Sequence, residues 1–358
     1  PAEARRAIEA AIANVRTFHE AQPAIDVRVE TAPGVVCERV SRPLDAVGLY
    51  VPAGSAPLPS TAIMLGVPSL IAGCPTRIVC TPPRPDGRAD PAVVVAARAC
   101  GIRDIFKVGG AQAVAAMAYG TATVPKVAKI FGPGNAWVTA AKSIVAGDPA
   151  GAALDMPAGP SEVMVIGDAR ADARFVALDL LAQAEHGPDS HVVLVTTDGQ
   201  LVDRVEAEIG RVLGTLSRRG IIEHALAHAA AILVADLDEA VAVANDYAPE
   251  HLILQVAAPR ALTAAISTAG SVFLGRWTPE SVGDYCSGTN HVLPTYGYAR
   301  AYSGLSVADF QRRMTLQEVT LTGLRGLAPT VRTLAGLEGL DAHARAVTVR
   351  LDAADTRP

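Results

Sequence analysis

The stretch "EVMVIGDARADARFVALDLLAQAEHGPDSHVVLVTTD", residues 162–198, decides the architecture. It opens and closes on apolar, strand-like runs. Between them, residues 172–186 carry a helical pattern that Gly187-Pro188 stops. Strand, helix and strand at this spacing imply parallel pairing with the helix laid on the sheet. The same alternation extends outward in both directions. Toward the N-terminus, "VGLYVP", "RIVCTPP", "IFKVGG" and "VAKIFGPG" are separated by helical segments near 61–73, 91–100, 111–119 and 136–146. Toward the C-terminus, "AAILVAD", "HLILQV" and "GSVFLG" follow, with helices near 200–215, 237–247 and 258–267. Two such series predict an α/β chain with two doubly wound, incomplete Rossmann-like parallel sheets, joined near residues 148–161. Beyond residue 305 the strand pattern stops, and 306–350 reads as a small helical tail suited to packing on a partner chain.

The bulk properties agree with this reading. At 358 residues the chain is long enough for roughly two domains of about 150 residues, and half of it is hydrophobic. A net charge of −5 and a pI near 5.9 offer no electrostatic footing for nucleic acid or an anionic membrane. The apolar run "TAIMLGVPSLIAGC" is too short to span a bilayer and reads as a buried helix. No signal peptide is expected. The five cysteines are odd in number and form no CxxC, which fits unpaired thiols in a reducing cytoplasm.

Four polar clusters fall at strand or helix ends, where open α/β sheets bind ligands. "QAEHGPDS" places Gln183 and His186 three apart, on one helical face. "NDYAPEHL" carries Glu250 and His251 at the opening of a strand. "GDYCSGTNHVLPTYG" holds Asp284, Asn290 and His291 in a glycine-rich loop. "LEGLDAHARAV" carries Glu338 and His343. Gln183, His186, Asp284 and His343 offer nitrogen and oxygen ligands suited to zinc, without the spacing of a zinc finger. His224 and His228 in "EHALAH" stand at the i,i+4 spacing that can bind metal, yet they lack the HExxH glutamate and sit on an ordinary alanine-rich helix. His19 and His191 read as residues with no constellation around them. The G-x-G-x-x-G fingerprint is absent. "KVGGAQAVAAMAYG" and "FGPGNAW" place glycines between a strand and a helix, where backbone N–H groups can meet phosphates. Ordinary βα turns look the same.

Taken in order, "GLYVPAGSAPLPST", "FKVGGAQAVAAMAYGT", "KIFGPGNAWVTAAK", "DMPAGPSEVMVI", "LLAQAEHGPDS", "YAPEHLI", "ESVGDYCSGTNHVLPTYGYAR" and "DAHARAVTVR" resemble histidinol dehydrogenases over nearly the whole chain. The resemblance implies a zinc-dependent, NAD-linked four-electron oxidation of L-histidinol to L-histidine through L-histidinaldehyde, the last steps of histidine biosynthesis. It also implies a cytoplasmic, intertwined homodimer with shared active sites. The domain division expected is 1–49 with 162–305 as one discontinuous Rossmann-like domain, 50–161 as a second, and 306–358 as a tail for dimerisation. Members of the family carry a further helical stretch ahead of the point that matches Pro1.

Carried over by motif, the resemblance implies zinc ligands at Gln183, His186, Asp284 and His343, the last reaching the partner's site. It implies the acid–base pair Glu250 and His251, and NAD contacts at Tyr50, Gln112 and Asn135. The substrate contacts implied are Ser161, His291 and Glu338, with the metal ligands and His251 also lining the substrate. Ala53 stands where many members have glycine, and Cys286 where alanine is common. In the expected chemistry His251 removes the hydroxyl proton, since imidazole titrates near working pH. Glu250 then activates water for the aldehyde step, and zinc positions the substrate's imidazole and amine. Two rivals stand beside this reading: a relative on the same fold acting on another polar alcohol, and a zinc-stabilised binding module without catalysis.

Overall fold

The computed structural model describes residues 1–22, 25–54 and 56–356, which form two units. The chain enters through α1 (Ala2–Glu20), then the antiparallel hairpin β1 (Val27–Ala32) and β2 (Val35–Pro43). A first α/β run follows: β3 (Ala46–Tyr50), α2 (Pro59–Ile71), β4 (Thr76–Cys80), α3 (Pro91–Ala99), β5 (Asp104–Phe106), α4 (Ala111–Tyr119), β6 (Lys129–Phe131), α5 (Ala136–Ala146) and β7 (Ala153–Leu154). The second run is β8 (Glu162–Gly167), α6 (Ala173–Ala184), β9 (His191–Thr196), α7 (Gly199–Leu213), α8 (Arg219–Leu226), β10 (Ala230–Leu233), α9 (Leu237–Tyr247), β11 (His251–Gln255), α10 (Pro259–Leu262) and β12 (Ser271–Leu274). A short helix, α11 (Glu280–Tyr285), leads to β13 (Gln311–Val319), α12 (Leu321–Leu337) and α13 (Asp341–Asp355).

The first unit, Pro1–Gln22 with Leu44–Phe310, holds two five-stranded sheets. Their orders are β5-β4-β3-β6-β7 and β10-β9-β8-β11-β12, parallel throughout. Both sheets therefore repeat one winding, with the reversal falling between β3 and β6 and between β8 and β11. Each sheet is covered on both faces, which explains the uninterrupted apolar strands. Successive residues of β8 divide between two cores: Val163 and Val165 pack with α6, α7 and α8, and Met164 and Ile166 pack with α9. In the first sheet, Val47 and Leu49 face α2 and α3, while Ile78 and Cys80 face α4 and α5. The helices of both runs are set by their caps: Asp90, Asn135, Asp172, Asp198 and Asp236 each accept a first-turn backbone N–H.

The second unit, Pro23–Pro43 with Gln311–Pro358, is smaller and differs from the helical tail expected. Within it β13 pairs antiparallel with β2 from Gln311–Pro43 to Val319–Val35, giving the order β1-β2-β13. "QRRMTLQEV" hides this strand because it is exposed along nearly its whole length. Backbone pairing with β2, rather than an apolar face, fixes it. Residues 23–43 thus group with the tail, and Ala46–Tyr50 with the strands of 50–161. Both groupings depart from the expected division, in which 1–49 joined 162–305. The joint between the sheets starts later than expected, because Ala153–Leu154 adds a last strand to the first one. The helix expected over 258–267 shortens to Pro259–Leu262.

Gly132, which follows β6, has φ +116°, and a Cβ there would stand 2.2 Å from the carbonyl oxygen of Tyr50. Backbone, not a flexible side chain, blocks the space. Gly132→Ala should lower stability by at least ~2 kcal/mol, read as a drop in the urea midpoint. An unchanged midpoint would show that the loop after β6 tolerates a different path.

Candidate active site

The amino ends of β8, β9 and β11 lie side by side, with Glu162 in register with His191 and Val163 with His251. Glu162 and Glu250 clasp each other across this edge. The Glu162 N–H donates to Glu250 Oε2 at 2.9 Å, and the Glu250 N–H donates to Glu162 Oε1 at 3.3 Å. The Glu162 carbonyl accepts from His251 Nδ1 at 3.1 Å. A carbonyl only accepts, so the proton sits on Nδ1 and the lone pair of neutral His251 is on Nε2. That Nε2 is buried without a hydrogen-bond partner and lies 3.6 Å from Asp284 Oδ1.

Three more side chains close around His251. Glu280 Oε1 is 3.9 Å and Glu250 Oε2 3.6 Å from His251 Nδ1. Burial opposes a charged His251, but the carboxylates of Glu280, Glu250 and Asp284 outweigh it and hold the imidazole well above its ordinary value. Burial pushes the Glu250 carboxyl up to about 8, with His251 opposing. Phe273 tilts against the His251 ring at 5.9 Å and walls the base from solvent.

α6 delivers Gln183 fully buried at its C-terminal end, and the chain turns out past Glu185 to an exposed His186. The amide oxygen and nitrogen of Gln183 have no partner, and neither does Glu280 Oε2. Buried polar atoms are seldom left orphaned without a reason. The ligand atoms of His186, Glu280 and Asp284 all lie within 4.8 Å of one another. Nitrogen and oxygen donors drawn together beside an unsatisfied amide fit a divalent cation such as zinc. Glu280 is the member missed at the sequence level. Its only signal is the i,i+4 spacing to Asp284, on a helix too short to announce itself. Asp284 and His186 come together as expected. His224 and His228, both exposed on or beside α8, join no such group among the described residues.

His291 follows α11 and donates from Nδ1 to the Asp284 carbonyl at 2.8 Å, while its Nε2 meets Thr61 Oγ1 of α2 at 3.3 Å. Asn290, next to it, is structural: its amide donates to the Met64 carbonyl at 2.7 Å, and its Oδ1 accepts from the Val292 N–H at 3.0 Å. Ser161 is half-buried just ahead of β8 and accepts from the His191 N–H. Glu338 and His343 belong to the second unit, where both are exposed, at the end of α12 and the start of α13.

The expected NAD residues cluster at the opposite, carboxyl edge of the first sheet. Tyr50 ends β3, and its buried hydroxyl accepts from the Gly110 N–H at 3.0 Å, fastening the double-glycine turn before α4. Gln112 and Asn135 are exposed, in the first turn of α4 and at the cap of α5. The first turn of α4 has no side-chain cap, and the Ala113 N–H donates back to the Gly110 carbonyl at 3.1 Å. A buried pair not foreseen from sequence locks the neighbouring loop. Lys142 Nζ donates to Asp155 and, at 2.9 Å, to the Gly132 carbonyl, while Asp155 Oδ2 accepts from the Gly132 N–H at 2.8 Å.

Tandem open parallel sheets with a buried acid–imidazole cluster at a strand edge define an α/β protein with a site suited to proton transfer. In fold alone, the chain resembles an indole-3-acetaldehyde dehydrogenase in apo form, with a TM-score of 0.54 at 14% identity over 89% of this chain and 82% of that one. The family model described as histidinol dehydrogenase matches residues 1–351. The histidinol dehydrogenase of Vibrio cholerae is 58% identical over 97% of this chain and 80% of its own length. The crystal structure of histidinol dehydrogenase from Elizabethkingia anophelis has a TM-score of 0.94 at 47% identity, over 98% of this chain and 81% of that one. The chain belongs to the histidinol dehydrogenase family.

Asp179, one turn ahead of Gln183 on α6, is buried and accepts from Gln255 Nε2 at 3.4 Å. Burial pushes its carboxyl up from 3.8 to about 7. The folded state therefore holds a proton that the unfolded chain releases, and stability falls as pH rises from about 4 to about 7. Asp179→Asn should raise the melting temperature at pH 8 well above wild type, by at most on the order of 4 kcal/mol of stability. The gap should shrink at pH 5. An equal gap at both pH values would show that ionisation of Asp179 costs nothing.

Proposed function

We propose that the chain carries out the zinc-dependent, NAD-linked four-electron oxidation of L-histidinol to L-histidine through L-histidinaldehyde, as the last steps of histidine biosynthesis. The observation that carries the reading is the unpartnered His251 Nε2, aimed at Asp284 with Glu250 beside it. Gln183, His186 and Asp284 would hold the zinc, with Glu280 at its border and His343 lent by the partner subunit. When bound, zinc would supply a positive charge able to position the substrate's imidazole and amine and to offset the carboxylates that otherwise keep a proton on His251. Tyr50, Gln112 and Asn135, with the glycine turns beside them, would hold NAD, which supplies the hydride acceptor. Ser161, His291 and Glu338 would line the substrate.

The residues' own work is proton management. His251 Nε2 removes the hydroxyl proton in the alcohol step, when the carbinol carbon loses hydride and becomes the aldehyde. The aldehyde adds one water, and the Glu250 carboxylate, poised near working pH, draws the proton from that water. Loss of a second hydride to NAD then leaves the carboxylic acid, which ionises to the carboxylate, so the alcohol step releases one proton and the aldehyde step two, the first of each taken by this pair. Burial shields His251 and Glu250 from bulk water, so that protons pass between this pair, the substrate and the one added water.

A homodimer in the cytoplasm is the setting this function implies. Exposed apolar side chains on the second unit, Met314, Leu316, Val319, Leu334 and Leu337, suit coverage by another copy. No helix among the described residues is long and apolar enough to cross a membrane.

Glu250→Gln should slow oxidation of histidinal roughly ten- to a hundredfold while slowing the alcohol step far less. Single-turnover assays started from each substrate separate the two, and equal losses would refute the division of labour. Gln183→Leu should weaken zinc retention roughly ten- to a hundredfold, measured by equilibrium dialysis against a chelator. Unaltered retention would remove Gln183 from the ligand set.

A further inference from the structure

His191 stands alone in the sequence, but pairing in the sheet gives it neighbours. Glu162 lies in register beside it on β8. Its Nδ1 is 2.5 Å from the hydroxyl of Tyr247, at the end of α9, and the two rings stack at 5.7 Å with 24° between their planes. The Tyr247 hydroxyl donates to Glu162 Oε2 at 3.1 Å. A phenol has one proton to give. Since it goes to Glu162, Tyr247 accepts from His191 Nδ1–H, and the chain of donors runs in one direction, from His191 to Tyr247 to Glu162.

Glu162 is the residue on which both members of the acid–base pair rest. Its side chain accepts from the Glu250 backbone, its N–H holds the Glu250 carboxylate, and its carbonyl sets the tautomer of His251. One carboxylate oxygen is thus spent on Glu250 and the other on Tyr247. We propose that His191 and Tyr247 are positioning residues for catalysis: together they fix the carboxylate of Glu162, which accepts the Glu250 N–H and so holds the start of β11, and with it Glu250 and His251, in place for the substrate. The inference rests on the reading of Glu250 and His251 as the acid–base pair.

The test compares Tyr247→Phe, His191→Leu and His191→Gln with wild type and His251→Asn, all as full-length, zinc-loaded chains. Tyr247→Phe keeps the ring stack and loses the donor. It should lower kcat roughly ten- to a hundredfold, with KM for histidinol and for NAD within about twofold and zinc content unchanged. His191→Leu should lower kcat roughly threefold or more, while His191→Gln, which retains an N–H donor, should recover most of it. A merely structural role would move KM, zinc content and kcat together and would not distinguish glutamine from leucine. That pattern overturns the proposal, as does a kcat within twofold of wild type in both Tyr247→Phe and His191→Leu. If Tyr247→Phe fails to fold, the half-exposed His191 pair decides alone. Full activity in His251→Asn would instead sink the acid–base reading. Loss of activity there, with Tyr247→Phe and His191→Leu unaffected, would sink only the positioning role.

Discussion

The reciprocal clasp between Glu162 and Glu250 is the constraint on which the rest of the site depends. Two acidic side chains lie buried at neighbouring strand starts, and each accepts a hydrogen bond from the other's backbone. Burying a carboxylate without such partners is costly. With them, the amino edge of the second sheet becomes a fixed frame. His251 then has no choice of tautomer, because its Nδ1–H donates to the Glu162 carbonyl. The unsatisfied atoms of His251, Gln183 and Glu280 gather at this frame, where they face what a ligand would bring.

The two sheets repeat one strand order but use opposite edges. In the first, the glycine turns stand at the carboxyl edge, on either side of the reversal between β3 and β6, where the general rule for open α/β sheets places a ligand. In the second, the chemistry sits at the amino edge, because Glu250 and His251 open β11 and α6 returns its C-terminal end to that side. Thr61 of α2 reaching His291 ties the first sheet's helices to the second sheet's site loop.

The inner strands β3, β4, β8, β9 and β11 of the first unit are apolar runs largely buried on both faces, and these announced themselves in the sequence. The strands β1 and β13 did not, because their residues are largely exposed and pair by their backbones on either side of the half-buried β2. Within the site, Glu250, His251, Asp284 and the Gln183–His186 spacing were legible because polar residues interrupt apolar runs there. Glu280 was not, since nothing in "TPESVGD" says that its side chain turns inward. His191 was misjudged because its meaning lies in the strand register. Lys142 left a faint trace: with Val138 and Val145 it marks the buried face of α5, where a lysine needs a partner that only the fold reveals, Asp155.

That the two sheets offer opposite edges has a consequence for descent. The glycine turns are anchored in the cores around β3, β4 and β6, and the acid–imidazole cluster in those around β8, β9 and β11. A substitution that reshapes one edge leaves the strands of the other in place, with coupling confined to contacts such as Thr61–His291 and Asn290–Met64. Preference at each edge is then a separately heritable trait of a single polypeptide, free to drift in one lineage while its counterpart stays put.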